Sequence, residues 1–92
     1  MRQDRQDRYV TFRNIDCEGM TRTVMAHVLR HVAAGDSPFW PYFEEQRALA
    51  HGRGFDDLRV LHNFLPTLKE LLDDLGDEET LALLEELETQ CM

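Results

Sequence analysis

The sequence predicts an all-α fold: a small helical bundle of about four helices, preceded by an extended N-terminal arm. Three observations carry this prediction. From residue 17 onward the apolar residues recur at helical spacing. The periodic stretches are punctuated by Asp or Ser at their starts and by Gly at their ends. Only one run, Tyr9 to Ile15 (YVTFRNI), has the aromatic and β-branched content of a strand, and no second run follows to pair with it. A lone strand leaves its backbone groups unpaired, so this segment reads as an arm lying along the helices. Ninety-two residues make one domain, 1–92, of which the polar residues 1–8 are expected to be disordered.

The elements follow in order. Asp16 is a suitable N-cap for a first helix starting near Cys17, and Gly35 a suitable C-cap. At 100° per residue, Cys17, Met20, Val24, Met25, Val28, Leu29 and Val32 form one apolar arc, with Arg22, Ala26 and Arg30 on other faces. Ser37 caps a second helix with Pro38 in its first turn; Phe39, Trp40 and Phe43 form its apolar face, and HGRG after Ala50 ends it. Asp56 opens a third, whose leucine-rich stripe runs from Leu58 to Leu75. Pro66 interrupts that stripe but falls on its solvent side, so one bent helix is expected. Gly76 ends it, and Asp77 caps a last helix carrying Leu83, Leu84, Leu87 and Cys91 on one side and Glu78, Glu85 and Glu86 roughly opposite. The short DLGDEE connection makes the last two helices antiparallel neighbours.

Charge is distributed unevenly. Residues 1–65 hold nine Arg and nine acidic residues; residues 66–92 hold Lys69 and nine acidic residues, which account for the whole net charge of −8. That balance argues against nucleic acid as a partner, because its phosphates would be repelled. No apolar run reaches the roughly 20 residues of a membrane span, and MRQDRQDR lacks the apolar stretch of a secretory signal. Two cysteines 74 positions apart do not make a disulfide framework, so a reducing cytoplasm is the expected compartment. A Cys17–Cys91 bridge or an intermolecular disulfide stays open, with little support from spacing alone.

Motifs for chemistry are sparse. His27 and His31 stand four apart, half of a zincin pattern, but no Glu follows His27 and His31 falls within the apolar arc, which favours packing over metal ligation. Cys17 lies about 21 Å along the same helix from His31 and cannot easily join the pair. It reads as a buried structural cysteine, although a helix N-terminus can also activate a thiol. There is no CxxC, no phosphate loop and no GxSxG. No carboxylate pair is marked for acid–base work. We therefore read no active site, no metal site and no cofactor. The Phe39–Trp40–Tyr42–Phe43 cluster reads mostly as core, with an exposed Trp40 or Tyr42 as the alternative, an interface anchor.

DRYVTFRNIDCEG at 7–19, FWPYFE at 39–44 and LGDEETLALLEELETQC at 75–91 together resemble the CowN family, over essentially the whole chain from Asp7 onward. The resemblance implies a role in nitrogen-fixing bacteria, protecting nitrogenase from low levels of carbon monoxide, and supplies no catalytic motif or cofactor to map. Carbon monoxide binds strongly only to electron-rich metal centres, and the chain carries neither a c-type haem motif nor a cysteine cluster for iron and sulfur. Scavenging and oxidation of the gas are thus disfavoured. The expectation is non-catalytic binding to nitrogenase, at its molybdenum–iron component, through Asp73, Asp74, Asp77, Glu78, Glu79, Glu85 and Glu86, with Trp40 as an apolar contact. The alternatives are a metal- or redox-responsive protein using His27, His31 or Cys17, and a helical regulator of another nitrogen-fixation protein.

Overall fold

The computed structural model describes residues 16–92, and within them the chain forms five helices and no strand. They are α1 (Cys17–Ala34), α2 (Phe39–Gly52), α3 (Asp57–Asn63), α4 (Leu65–Leu75) and α5 (Glu78–Cys91). The all-α class holds, with five helices where about four were expected. The arm at Tyr9–Ile15 and the disorder expected for residues 1–8 lie outside the described residues.

The helix ends are set by short side chains. Asp16, Asp56 and Asp77 each accept a hydrogen bond from the backbone N–H three residues on, at Gly19, Arg59 and Thr80. α1 and α4 stop at Gly35 and Gly76, whose φ angles of 64° and 77° place them in the left-handed region. There glycine avoids the steric cost of a Cβ. α2 starts at Phe39, whose N–H donates to the Ser37 hydroxyl at 3.2 Å. Pro41 is tolerated because first-turn N–H groups have no partner within the helix. α2 also runs two residues beyond Ala50, to Gly52.

The expected single bent helix is two helices. The chain breaks at Phe64 (φ −109°, ψ 15°), two residues before Pro66. Proline has no N–H to bond the His62 carbonyl, and its ring crowds that carbonyl. In the interior of a long helix both effects cost about 3 kcal/mol. With the break at Phe64, Pro66 falls in the first turn of α4, where neither matters. The apolar stripe continues across the break: Val60, Leu61, Leu65, Leu68 and Leu72 are all buried.

The core joins these residues to Val24, Met25 and Val28 of α1, Trp40 and Phe43 of α2, and Leu84 and Leu87 of α5. α5 packs on α1 and α4, while α2 packs on α3 and α1. Lys69 Nζ donates to Glu88 at 3.0 Å, a pairing that only an antiparallel α4–α5 hairpin brings level. No described helix is long and apolar enough to cross a membrane.

Candidate functional site

The outer surface of the α4–α5 hairpin is acidic. Glu70, Asp73 and Asp74 of α4 and Glu78, Glu79, Glu85 and Glu86 of α5 are all exposed, and none forms an ion pair with a described residue. Local helix physics produces this face. Thr80, Leu84 and Leu87 point inward at spacings of four and three, so positions 78–79 and 85–86 turn outward. Glu78 and Glu79 also lie in the first turn, where the helix dipole favours negative charge. The hairpin's single cation, Lys69, is engaged with Glu88 and not with the outer carboxylates.

Asp77 stands apart from this face. Its carboxylate accepts from the Thr80 backbone N–H at 3.1 Å, from the Thr80 hydroxyl at 2.6 Å and from His31 Nε2 at 2.7 Å. Those bonds, the Thr80 pair foremost, hold its pKa down at about 2 against the partial burial that opposes them. The role of Asp77 is therefore internal: it caps α5 and fastens it to α1. Asp77 is thus half-buried and tied to α1, unlike the exposed carboxylates beside which the sequence reading sets it.

His31 forms the centre of a clamp. Its Nδ1 donates to Asp36 at 2.6 Å while Nε2 donates to Asp77, so the ring is held as an imidazolium between two carboxylates. Burial lowers its pKa, but the hydrogen bonds it donates to Asp36 and Asp77 outweigh that and the net shift is upward. Asp36 is shifted down, by its bond to His31 first, and it also accepts from Trp40 Nε1 at 2.6 Å. The Trp40 ring stacks on His31 with centroids 5.8 Å apart. The clamp thus unites the end of α1, the start of α2 and the α4–α5 turn. Sequence spacing could not reveal it, since His31 and Asp77 are 46 positions apart. The available signal is that the same Gly-Asp pair follows both α1 and α4, at 35–36 and 76–77.

This geometry corrects the reading of Trp40 as an apolar contact for a partner. Trp40 is 0% exposed and can offer no surface to a partner; its indole is anchored inside by Asp36 and Phe43. Tyr42 is the exposed member of the aromatic cluster, at 51%. His27 and His31 do not converge as a ligand pair. Both nitrogens of His31 are engaged, and His27 Nδ1 accepts from Arg30 at 2.7 Å beside the Thr80 hydroxyl. Among the described residues no group of three or more His, Cys, Asp or Glu is placed to hold a metal ion. His51 meets Asp57, which also binds Arg47 through two nitrogens at 2.9 and 3.1 Å. Cys17 and Cys91 are joined in a disulfide that ties the start of α1 to the end of α5.

Comparison with known proteins agrees with the residues quoted above. No solved structure matches the chain. The chain is 60% identical over 86 residues to the N(2)-fixation sustaining protein CowN of Methylocella silvestris, an alignment covering 94% of this chain and 96% of that protein. Proteins of the same name from Gluconacetobacter diazotrophicus and Beijerinckia indica are 59% and 58% identical, each aligned over 94% of both chains. The family profile described as N2-fixation sustaining protein CowN matches residues 1–92, so the chain belongs to the CowN family.

Proposed function

We propose that this protein sustains nitrogen fixation in the presence of carbon monoxide by binding nitrogenase at its molybdenum–iron component, without catalysis. The acidic outer face of α4 and α5 is the docking surface in this reading. The observation that supports it is the separation of carboxylates by role. Asp16, Asp36, Asp56, Asp57 and Asp77 cap helices or bind side chains, whereas Asp73, Asp74, Glu78, Glu79, Glu85 and Glu86 are exposed without an ion-pair partner among the described residues. Such a face steers encounter with a basic patch, and its contribution weakens as salt screens it. Nearby apolar contacts then supply most of the affinity.

Protection follows if the complex disfavours carbon monoxide at nitrogenase's metal cluster, by obstructing a gas route or by biasing the conformation around the cluster. A thermodynamic effect is reciprocal: nitrogenase carrying carbon monoxide then holds this protein more weakly, by the same factor. Equal affinity for the two forms would leave only a kinetic barrier.

The test is nitrogenase turnover at a fixed inhibitory level of carbon monoxide, with metal-free protein titrated in. Activity that recovers saturably, at a protein concentration independent of the total gas supplied, supports direct action and excludes scavenging. Absence of recovery overturns the proposal. Charge reversal at Glu85 and Glu86 locates the surface: association slows several-fold at low salt and loses its salt dependence. Unchanged association moves the contact elsewhere.

A further inference from the structure

We infer that Cys17 and Cys91 form a reversible thiol–disulfide switch that controls the order of the last turn of α5. Three observations support this. The bridge joins residues 74 positions apart with Cα atoms 5.8 Å from one another, so one covalent bond connects the first residue of α1 to the last of α5. Both cysteines are half-buried, and a shallow cleft lined by Glu18, Thr21, Arg22 and Leu58 opens beside Cys17, so a small thiol has access to the pair. Finally, the fully buried core includes neither cysteine: Cys91 packs only against its edge, and α5 is also held by Leu84, Leu87 and the Lys69–Glu88 pair. A bond that is accessible and at the edge of the core can open without unfolding the domain.

The chemistry is exchange with a low-molecular-weight disulfide, for which glutathione disulfide is the probe. Cys17, the first residue of α1, lines the cleft and is the attacking thiol, deprotonated as exchange requires. That thiolate attacks one glutathione sulfur, the glutathione S–S bond breaks, and its electron pair leaves on the other glutathione as a thiolate. The Cys91 thiolate then attacks Cys17 Sγ in the mixed disulfide and expels the second glutathione. Two protons leave the cysteines and two electrons reduce one glutathione disulfide to two thiols. Excess reduced glutathione reverses both steps.

Opening the bridge frees Cys91 and with it the last turn of α5, beyond the anchors at Leu87 and Glu88. α3 and α4 keep their packing. The inference does not rest on nitrogenase as the partner, because every readout is made on the isolated protein.

The experiment equilibrates the full chain in glutathione buffers of graded redox ratio, traps free thiols with N-ethylmaleimide, and measures mass, melting and amide hydrogen exchange. The expected result is an intramolecular bridge that titrates within the glutathione range. On reduction, amides in residues 89–91 should exchange at least roughly 10-fold faster while those of α3 and α4 hold their rates. The reduced protein should still melt cooperatively, with Tm lowered on the order of 10–20 °C. Cys91→Ser in oxidising buffer should match the reduced wild-type chain, and if that variant fails to fold the reduced chain itself carries the comparison. A bridge that resists excess reduced glutathione, or a reduced protein that has lost cooperative melting, makes the disulfide a permanent staple and overturns the inference. Thiols that stay reduced, stop at the glutathione adduct or link two chains overturn it too, as does exchange at 89–91 that ignores redox state.

Discussion

The α1–α3 region and the α4–α5 hairpin handle charge in opposite ways. In the first, cations meet carboxylates: Arg47 and His51 converge on Asp57, His31 binds Asp36, and Arg22 lies 3.8 Å from Glu18. In the hairpin, Lys69 is the only cation against nine acidic residues, and it faces inward across the two helices to Glu88. The difference separates two uses of a carboxylate. Most aspartates of the described residues, one or two bonds from the backbone, hold helix starts and corners together. The glutamates of α5 except Glu88 are exposed and form no ion pair with a described residue. Stability should therefore be insensitive to the outer glutamates and sensitive to the aspartates and the core they frame.

The largest expected effects come from the core on which both regions rest. Trp40→Ala should cost about 3–5 kcal/mol, since it removes a fully buried ring together with the indole N–H that donates to Asp36. Leu84→Ala, on the inner side of the acidic helix, should cost about 2–5 kcal/mol. Urea unfolding with an unchanged m-value checks both. A loss under 1 kcal/mol at Leu84 would mean that α5 is not part of the cooperative core.

The clamp is the next level, and pH separates its components. Asp77 has its pKa lowered from 3.8 to about 2, so its contribution is present above 3.8 and is lost as pH falls toward 2. His31 has its pKa raised from 6.5, so its contribution is complete below 6.5 and is lost as pH rises through the higher folded value. The clamp is thus fully formed between those two limits. Asp77→Ala should flatten the acid side of the stability profile and cost about 1–2 kcal/mol through the lost cap alone. His31→Gln should flatten the alkaline side. An alkaline limb that survives His31→Gln would break the assignment.

The comparison is sharpened by Glu85→Lys with Glu86→Lys. Both positions are exposed, and the double variant should stay within about 0.5 kcal/mol of the parent in the same urea assay. A larger loss would show that the outer face is structural after all. The smallest effect is expected at Gly19. A Cβ there would lie 2.9 Å from Asp16 Cγ and displace the capping carboxylate, a loss of about 1 kcal/mol. Replacing a helical glycine by alanine recovers a similar amount. Gly19→Ala should therefore be nearly neutral, whereas in an Asp16→Ala background, with no cap left to displace, the same change should stabilise by about 1 kcal/mol.

Much of this architecture is readable in the chain because it depends on local chemistry. Asp16, Asp56 and Asp77 cap helices as their positions suggest, and Gly35 and Gly76 stop them. The break at Phe64 is not readable from periodicity, because Val60, Leu61, Leu65 and Leu68 stay in phase across it and a wheel cannot distinguish a bend from a break. Trp40 presents a different difficulty. A large amphipathic ring suits both core and interface, and the decision rests with Asp36 and His31, which satisfy its N–H and cover its face. Of the candidate surface, the outward set of the hairpin was legible from its helical phase. The inward turn of Asp77 was not, because it depends on a histidine brought there by the tertiary fold.

The imidazolium shared by Asp36 and Asp77 also decides where the chain tolerates rearrangement. Each aspartate directly follows a left-handed glycine, so the two corners are registered against each other to within a hydrogen bond. One residue inserted at either corner displaces a carboxylate from the ring and unfastens both. The turn from Gly52 to Gly54 carries no such tie and is exposed throughout. A fluorophore, an affinity tag or new chain termini therefore belong there, where they leave the acidic hairpin free for partner measurements.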